Sequence, residues 1–169
     1  VKSIRAADHC SPLFFFSDKT IIMSNPERIV SDTDKIRSLL QHHQICRIAL
    51  NDEYSPYIVP VNFGYTHEDG RWTFYFHGAR SGKKMRLLRK DPAISLEIDG
   101  DHQLIPAADA CDYSFAYSSI IASGWATILH EREEMVHGLN VIMRQAVPGQ
   151  TFSYRDDMLK AVCVVRIDC

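Results

Sequence analysis

The stretch FYFHGARSGKKMRLLRKDP, residues 74–92, decides the fold and raises a question about charge. It begins as an aromatic, β-forming run and continues as a basic segment that should be a short helix ending at Asp91-Pro92. Ser81 is the predicted N-cap, which puts Lys83 and Lys84 in the first turn. Cations at that position oppose the helix dipole and are disfavoured by about 0.3–1 kcal/mol each. A bound anion would reverse this penalty.

Ser81, Gly82, Lys83 and Lys84 therefore form a predicted phosphate cradle, in which Gly82 lets the backbone come close to the ligand. The alternative is a solvated basic helix face. The segment is not a P-loop, because the G-x-x-x-x-G-K spacing and a surrounding parallel strand-helix unit are both missing. The cluster also contains further cations: Arg80, Arg86, Arg89 and Lys90.

Composition restricts the class of protein. A chain of 169 residues that is 46% hydrophobic suits one well-packed domain. A net charge of −2 and a pI near 6.5 give no bulk attraction to nucleic acid or an anionic membrane. No apolar run approaches the length of a membrane span. Five widely spaced cysteines without a C-x-x-C motif indicate reduced thiols, and we expect a cytoplasmic location.

The chain divides into an N-terminal extension, residues 1–30, and one domain, residues 31–169. The extension shows no clear periodicity, and a natural start at Met23 is a hypothesis for it. An amphipathic helix is predicted over residues 31–43, opened by Ser31 with Asp34 three positions later as a variant of the capping box.

Six strands are predicted, over residues 45–50, 57–66, 71–77, 93–99, 113–129 and 160–168. HEDG (67–70) is a predicted hairpin turn, and a helix is predicted over residues 131–146. Pro60 interrupts the second strand, so it should mark an edge, a bulge or a break where something else approaches the backbone. Strands joined mostly by hairpins favour an α+β fold, an antiparallel barrel flanked by helices.

Most other reactive side chains have structural explanations. Glu134 and His137 are half of a carboxylate-bridged metal motif whose second copy is missing, so no metal site is predicted. Cys46 lies within a strand and should be a small buried hydrophobe. His77 differs, because it ends a strand immediately before the predicted phosphate cradle.

Taken together, CRIAL (46–50), YIVPVNFGY (57–65), residues 74–92, AISLEID (93–99) and SSIIASGWATIL (118–129) resemble the pyridoxamine-phosphate-oxidase-like FMN-binding split barrel. Within that family the nitroimidazole-resistance (Nim) flavoproteins are most similar, and the resemblance covers residues 30–168. It implies a six-stranded antiparallel split β-barrel and a homodimer with flavin sites at the interface.

The resemblance also implies the site. FMN would be held by its phosphate at Lys83 and Lys84, and His77 would face the substrate as the catalytic side chain. The alternative role of His77 is to hydrogen-bond the loop and set its shape. The partner chain would contribute residues near Tyr117 to the flavin site. Ser119 stands where the oxidases carry a glutamine. The cofactor-binding candidates are Val59, Pro60, Val61, Asn62, Phe76, His77, Gly78, Ser81, Gly82, Lys83, Lys84, Tyr117 and Ser119.

The activity that the resemblance implies is FMN-dependent reduction of small aromatic acceptors, nitro compounds among them. A non-catalytic flavin-binding or storage protein and a haem-binding split barrel remain as alternatives. Pyridoxamine-phosphate oxidases end in a Trp-rich tail with an Arg-x-His segment, whereas Trp72 and Trp125 lie earlier here, which argues against vitamin B6 oxidation. No dinucleotide fingerprint is present, so electrons would come from a transient nicotinamide donor or from a protein partner.

Overall fold

The computed structural model describes residues 11–15 and 30–169 and contains seven strands, four α-helices and a short 3₁₀ helix within them. The strands are β1 (Ser11–Phe15), β2 (Ile45–Leu50), β3 (Tyr57–Glu68), β4 (Arg71–Ala79), β5 (Ala93–Ile105), β6 (Ser114–Leu129) and β7 (Val162–Asp168). The helices are α1 (Thr33–His42), α2 (Lys83–Lys90), α3 (Arg132–Ala146) and α4 (Asp156–Ala161), and the 3₁₀ helix is Ala110–Asp112.

Six of the strands form an antiparallel ring in the order β6-β5-β2-β3-β4-β7, closed by pairing between β6 and β7. The closure is uneven, since β7 meets β6 only over Trp125–Leu129, whereas β5 follows β6 along most of its length. The predicted α+β fold with six antiparallel strands and flanking helices is confirmed. β1 is a seventh, parallel strand beside β6 that the sequence analysis did not predict. The homodimer remains a prediction.

Alternation of apolar and polar residues explains how the strands pack. Side chains that point into the ring form the main core, and among the largest fully buried ones are Phe63, Phe74 and Phe76. A second cluster lies outside the ring, where α3 covers part of β4 and β7. Its members include Tyr75, Met135, Leu139, Ile142 and Val164. Removing such side chains from water contributes about 1.5–3 kcal/mol each, which holds α3 against the sheet.

Gly124 lies where β6 changes partner. The pairing of β6 with β1 ends at Ala122, and its pairing with β7 begins at Trp125. A Cβ atom on Gly124 would lie 2.2 Å from the carbonyl oxygen of Asp168, a distance that real Cβ atoms do not reach. The close approach of the C-terminal strand therefore requires glycine at this point.

Most element positions agree with the sequence predictions, and the differences concern ends and short elements. The hairpin turn at residues 67–70 is confirmed, with positive φ at Asp69 and Gly70 as in a type I′ turn. The N-cap of α1 is Asp32, not Ser31, because the Asp32 carboxylate accepts hydrogen bonds from the backbone N–H groups of Asp34 and Lys35.

The short helix α4 was not predicted, and β5 extends past the predicted end at residue 99 to Ile105. The hypothesis about Met23 falls outside the described residues. Each helix within the described part of the chain is too short or too polar to cross a lipid bilayer.

Candidate functional site

The start of α2 is built by Gly82 rather than by Ser81. The N-cap is Gly82, with φ 115° and ψ 174°, and no side chain caps the helix. The predicted N-cap Ser81 is therefore wrong, because this left-handed entry into the helix is open to glycine and strained for serine. The correction moves Lys83 and Lys84 to the first two helical positions, where unpaired backbone N–H groups and the dipole already make the end positive.

Lys84 carries the least compensated charge of the site. Its Nζ lies 5.0 Å above the ring centroid of Phe76 and forms no ion pair with any described residue. A Cβ atom on Gly78 would lie only 3.0 Å from that Nζ, so the lysine packs directly on the end of β4. Burial lowers the pKa of Lys84, because a half-buried ammonium group has lost part of its hydration without gaining a counter-ion. A ligand anion would supply that counter-ion.

Lys83, next to it, is already paired. Its Nζ lies 2.7 Å from the Asp52 carboxylate and 4.7 Å from the ring centroid of Tyr57. The hydrogen bond from Lys83 is the main reason why the pKa of Asp52 is lowered. The two lysines that the sequence treats as equivalent thus differ, since only Lys84 lacks an anionic partner among the described residues.

His77 lies at the point where β4 leaves β3. Part of its ring reaches solvent, and no hydrogen bond joins that ring to another described residue. The alternative in which His77 sets the loop shape through such a bond therefore finds no support in the described chain. Partial burial, and after it the charge of Lys84, lower the pKa of His77. Its titration is thus coupled to the lysine that would hold an anion.

The strands β3 and β4 diverge beside His77. β3 and β4 pair from Glu68–Arg71 to Phe63–Phe76; beyond that point β4 pairs only with β7. The preceding half of β3, residues 57–62, pairs only with β2. One edge of this half-strand is free of a described strand, which confirms that Pro60 marks an edge.

The predicted residues of β3 line this free edge. Val59 and Val61 pack towards the core, whereas Pro60 and Asn62 are exposed on the opposite face. The Asn62 side-chain amide donates a hydrogen bond to the carbonyl of Gln44 at 3.2 Å. The free edge of β3, the two lysines at the start of α2 and His77 therefore lie at the same end of the barrel.

Tyr117 and Ser119 lie on another part of the sheet. Both belong to the first half of β6, where Ser119 is buried opposite Asp99 and Tyr117 packs near His102. In the ring β7 lies between β6 and β4, and β7 pairs with β6 only over Trp125–Leu129, beyond both residues. The predicted role of Tyr117 and Ser119 through a partner chain stays a prediction.

Asp52 is a site residue that the sequence analysis missed. It lies in the NDEYSP turn, 31 positions before Lys83, and Asn51 in the same turn donates a hydrogen bond to Asp91 at the end of α2. An acidic residue in a turn is too common to be singled out without knowing what the turn contacts. Cys46 is buried as predicted, and burial raises its pKa to about 12, so the thiol stays protonated.

Comparisons with known proteins are consistent with this geometry. The sequence model of the family described as pyridoxamine 5′-phosphate oxidase matches residues 32–169. A solved structure of a candidate 5-nitroimidazole antibiotic resistance protein from Bacteroides thetaiotaomicron has 29% identity and a TM-score of 0.70, over 82% of this chain and 80% of that one. No match is found among curated proteins.

Two more distant structures share the fold. An FAD and haem binding protein from Mycobacterium smegmatis has 17% identity and a TM-score of 0.70, over 81% of this chain and 66% of its own. The flavocytochrome Anf3 from Azotobacter vinelandii has 17% identity and a TM-score of 0.66, over 80% of this chain and 62% of its own. At these identities the likeness establishes the architecture of the chain alone.

The electrostatics of His77 make a testable prediction. Because its folded pKa lies below the ordinary value of about 6.5, the unfolded chain binds a proton more readily, and the free energy of unfolding falls as pH drops through that range. His77→Gln should remove this component, whereas the control His130→Gln should keep it. Removing the neighbouring charge with Lys84→Met should raise the pKa of His77 in an NMR titration. An unchanged His77 titration in Lys84→Met would contradict the coupling.

Proposed function

The chain belongs to the pyridoxamine 5′-phosphate oxidase family, and we propose that it binds FMN and reduces small aromatic compounds, with nitroaromatics as the expected class. The observation that carries the proposal is Lys84, a half-buried cation without an ion-pair partner in the described chain, at an uncapped helix N-terminus beside His77. A phosphate group suits this environment because it pairs with the lysine and accepts from the free N–H groups.

The residues of this end of the barrel fit FMN. Lys84, the first-turn N–H groups of α2 and the Ser81 hydroxyl would hold the phosphate. Lys83 would also bind the phosphate, and its ion pair with Asp52 would either persist or break when it does so. The free edge of β3 over Val59–Asn62 offers backbone groups to a flat ring system, and Phe76 supports the lysine from below. The groups that would bind the phosphate thus lie at the start of α2, and the unpaired backbone edge of β3 would lie along the ring system.

FMN, when bound, supplies the redox chemistry, because it accepts electrons and passes them to an acceptor. Reduction of a nitro group to a nitroso group consumes two electrons and two protons and releases water. His77 can donate one of these protons or hold an anionic oxygen, since it is exposed near the end of β4 and forms no hydrogen bond with a described residue. Burial is the main cause of the lowered pKa of His77 and the charge of Lys84 is the second; a phosphate on Lys84 would offset only that second cause, which favours the protonated imidazole.

Nitro compounds are proposed as substrates because of a similarity to one solved structure. The solved Bacteroides thetaiotaomicron structure, at 29% identity, belongs to a candidate 5-nitroimidazole antibiotic resistance protein.

We place the protein in the cytoplasm, in keeping with free cysteines at Cys46, Cys111, Cys163 and Cys169.

Removing both lysines should release FMN. Lys83→Ala/Lys84→Ala loses two charge-assisted hydrogen bonds, which corresponds to about 3–6 kcal/mol of binding, or two to four decades in affinity. Most of the loss should already occur in Lys84→Ala, since Lys83 is committed to Asp52. Fluorescence titration of apoprotein with FMN measures the affinities, with Lys90→Ala as the matched control. Wild-type affinity in the double variant would exclude this phosphate site.

His77→Ala tests the chemical role. If the imidazole delivers protons, FMN affinity should stay nearly constant while reoxidation of the reduced protein by a nitroaromatic slows by about 10²-fold or more. Stopped-flow absorbance measures this rate per bound flavin. The same experiment on the wild type separates a reductase from a storage protein, which would not be reoxidised by the acceptor. Loss of FMN with an unchanged rate per flavin would mean that His77 is structural.

We also propose that two copies associate. Ile45, Ile58 and Trp125 are more than half exposed on the outer face of β2, β3 and β6, where Arg47 also pairs with Glu97 and Asp99, and a partner would cover these apolar side chains. A second chain would bring Tyr117 and Ser119 to the flavin. The expected interface is about 2,000 Å² or more, and light scattering should give twice the mass of one chain. A monomer that retains flavin would contradict this assembly.

A further inference from the structure

The exposed face of α2 carries cations that the phosphate cradle does not use. The helix sequence KKMRLLRK contains no acidic residue, and its apolar side chains Met85, Leu87 and Leu88 are buried. The outer face is therefore wholly basic, although the chain as a whole has a net charge of −2. We call this surface the basic face; it consists of Arg80, Arg86, Arg89 and Lys90.

The side chains of the basic face are held in place without being neutralised. Arg80 donates to the carbonyl of Lys160 at 2.9 Å, and Arg89 donates to the carbonyl of Arg80 at 3.0 Å. Backbone carbonyls orient these guanidinium groups and leave their charge intact. Arg86 and Lys90, one helical turn apart, form no ion pair with a described residue. An ordered, unneutralised patch of one sign is complementary to an acidic surface.

The shape of the basic face selects the kind of partner. An exposed helix is convex, whereas small ligands bind in concave sites. Three pockets of the described chain lie elsewhere, against Trp125, around Arg166 and beside Arg144. Eight helical residues span about 12 Å, which is too short for the extended positive track that a nucleic acid requires. The basic face therefore fits an acidic patch on another protein.

We propose that the basic face is the docking surface for an acidic electron-transfer protein that reduces the cofactor. This inference rests on the proposed function. α2 begins at the phosphate cradle, so a protein docked on it lies beside the flavin site. Two one-electron carriers would each give one electron to FMN, and solvent would supply the two protons that complete its reduction. The reduced flavin would then pass both electrons to the aromatic acceptor.

Charge reversal away from the cofactor site tests the surface. Arg86→Glu/Lys90→Glu is compared with Lys35→Glu/Arg144→Glu, which makes the same change in net charge at exposed positions of α1 and α3 that form no ion pair with a described residue. The probe is a plant-type [2Fe–2S] ferredoxin, and calorimetry measures its affinity for the apoprotein and for the FMN-loaded protein at low and high salt. The first variant should weaken binding about tenfold or more, with the effect shrinking at high salt, while the control stays close to wild type.

Reduction by dithionite and FMN affinity should be unchanged in Arg86→Glu/Lys90→Glu, while reduction by reduced ferredoxin should slow. Equal weakening in both variants, binding that does not respond to salt, or tighter binding of transfer RNA than of ferredoxin would overturn the proposal. Ferredoxin binding to apoprotein that depends on Arg86 and Lys90, in a protein that takes up no FMN, would overturn the proposed function instead. The two failures are thus distinguishable.

Discussion

The half-buried charge of Lys84 is the constraint on which the rest of the site depends. A lysine in the first turn of a helix is disfavoured by the dipole, and partial burial against Phe76 adds a desolvation penalty. Neither effect is relieved by a counter-ion in the described chain. A bound anion offsets both costs through its attraction to the ammonium group and the hydrogen bonds that it accepts from the free N–H groups.

The fold creates this position through the way in which the barrel opens. β4 pairs with β3 up to Phe76, continues beside β7 alone from His77 to Ala79, and then turns into α2 through Gly82. The same divergence frees the edge of β3 around Pro60. The divergence of β3 and β4, followed by the entry into α2 through Gly82, brings His77, Lys84 and an unpaired backbone edge to one end of the barrel.

Local patterns in the sequence were sufficient for the elements but not for the contacts between them. Alternation and turn chemistry predicted the strands and the hairpin at residues 67–70, because those signals act over a few residues. The pairing of Asp52 with Lys83 could not be predicted, since it depends on how β2 and α2 meet in three dimensions. The sequence predicts Ser81 as the N-cap because serine is a common N-cap residue. The N-cap is Gly82, and only the backbone angles show that glycine is required there.

β1 and α4 were missed for a related reason. A five-residue strand that pairs in parallel with a distant strand, and a six-residue helix, carry too short a pattern to stand out from their surroundings. Tyr117 and Ser119 lie in the half of β6 that does not pair with β7. Their predicted contact with a flavin site involves a second chain and stays a prediction.

The visible absorption spectrum of the purified full-length protein, followed by identification of the cofactor released on denaturation, tests the central claim most directly. The account predicts flavin bands and released FMN, because the uncompensated Lys84 at the start of α2 needs the phosphate that FMN carries. A Soret band, or a protein that shows no flavin bands even after incubation with FMN, would contradict it.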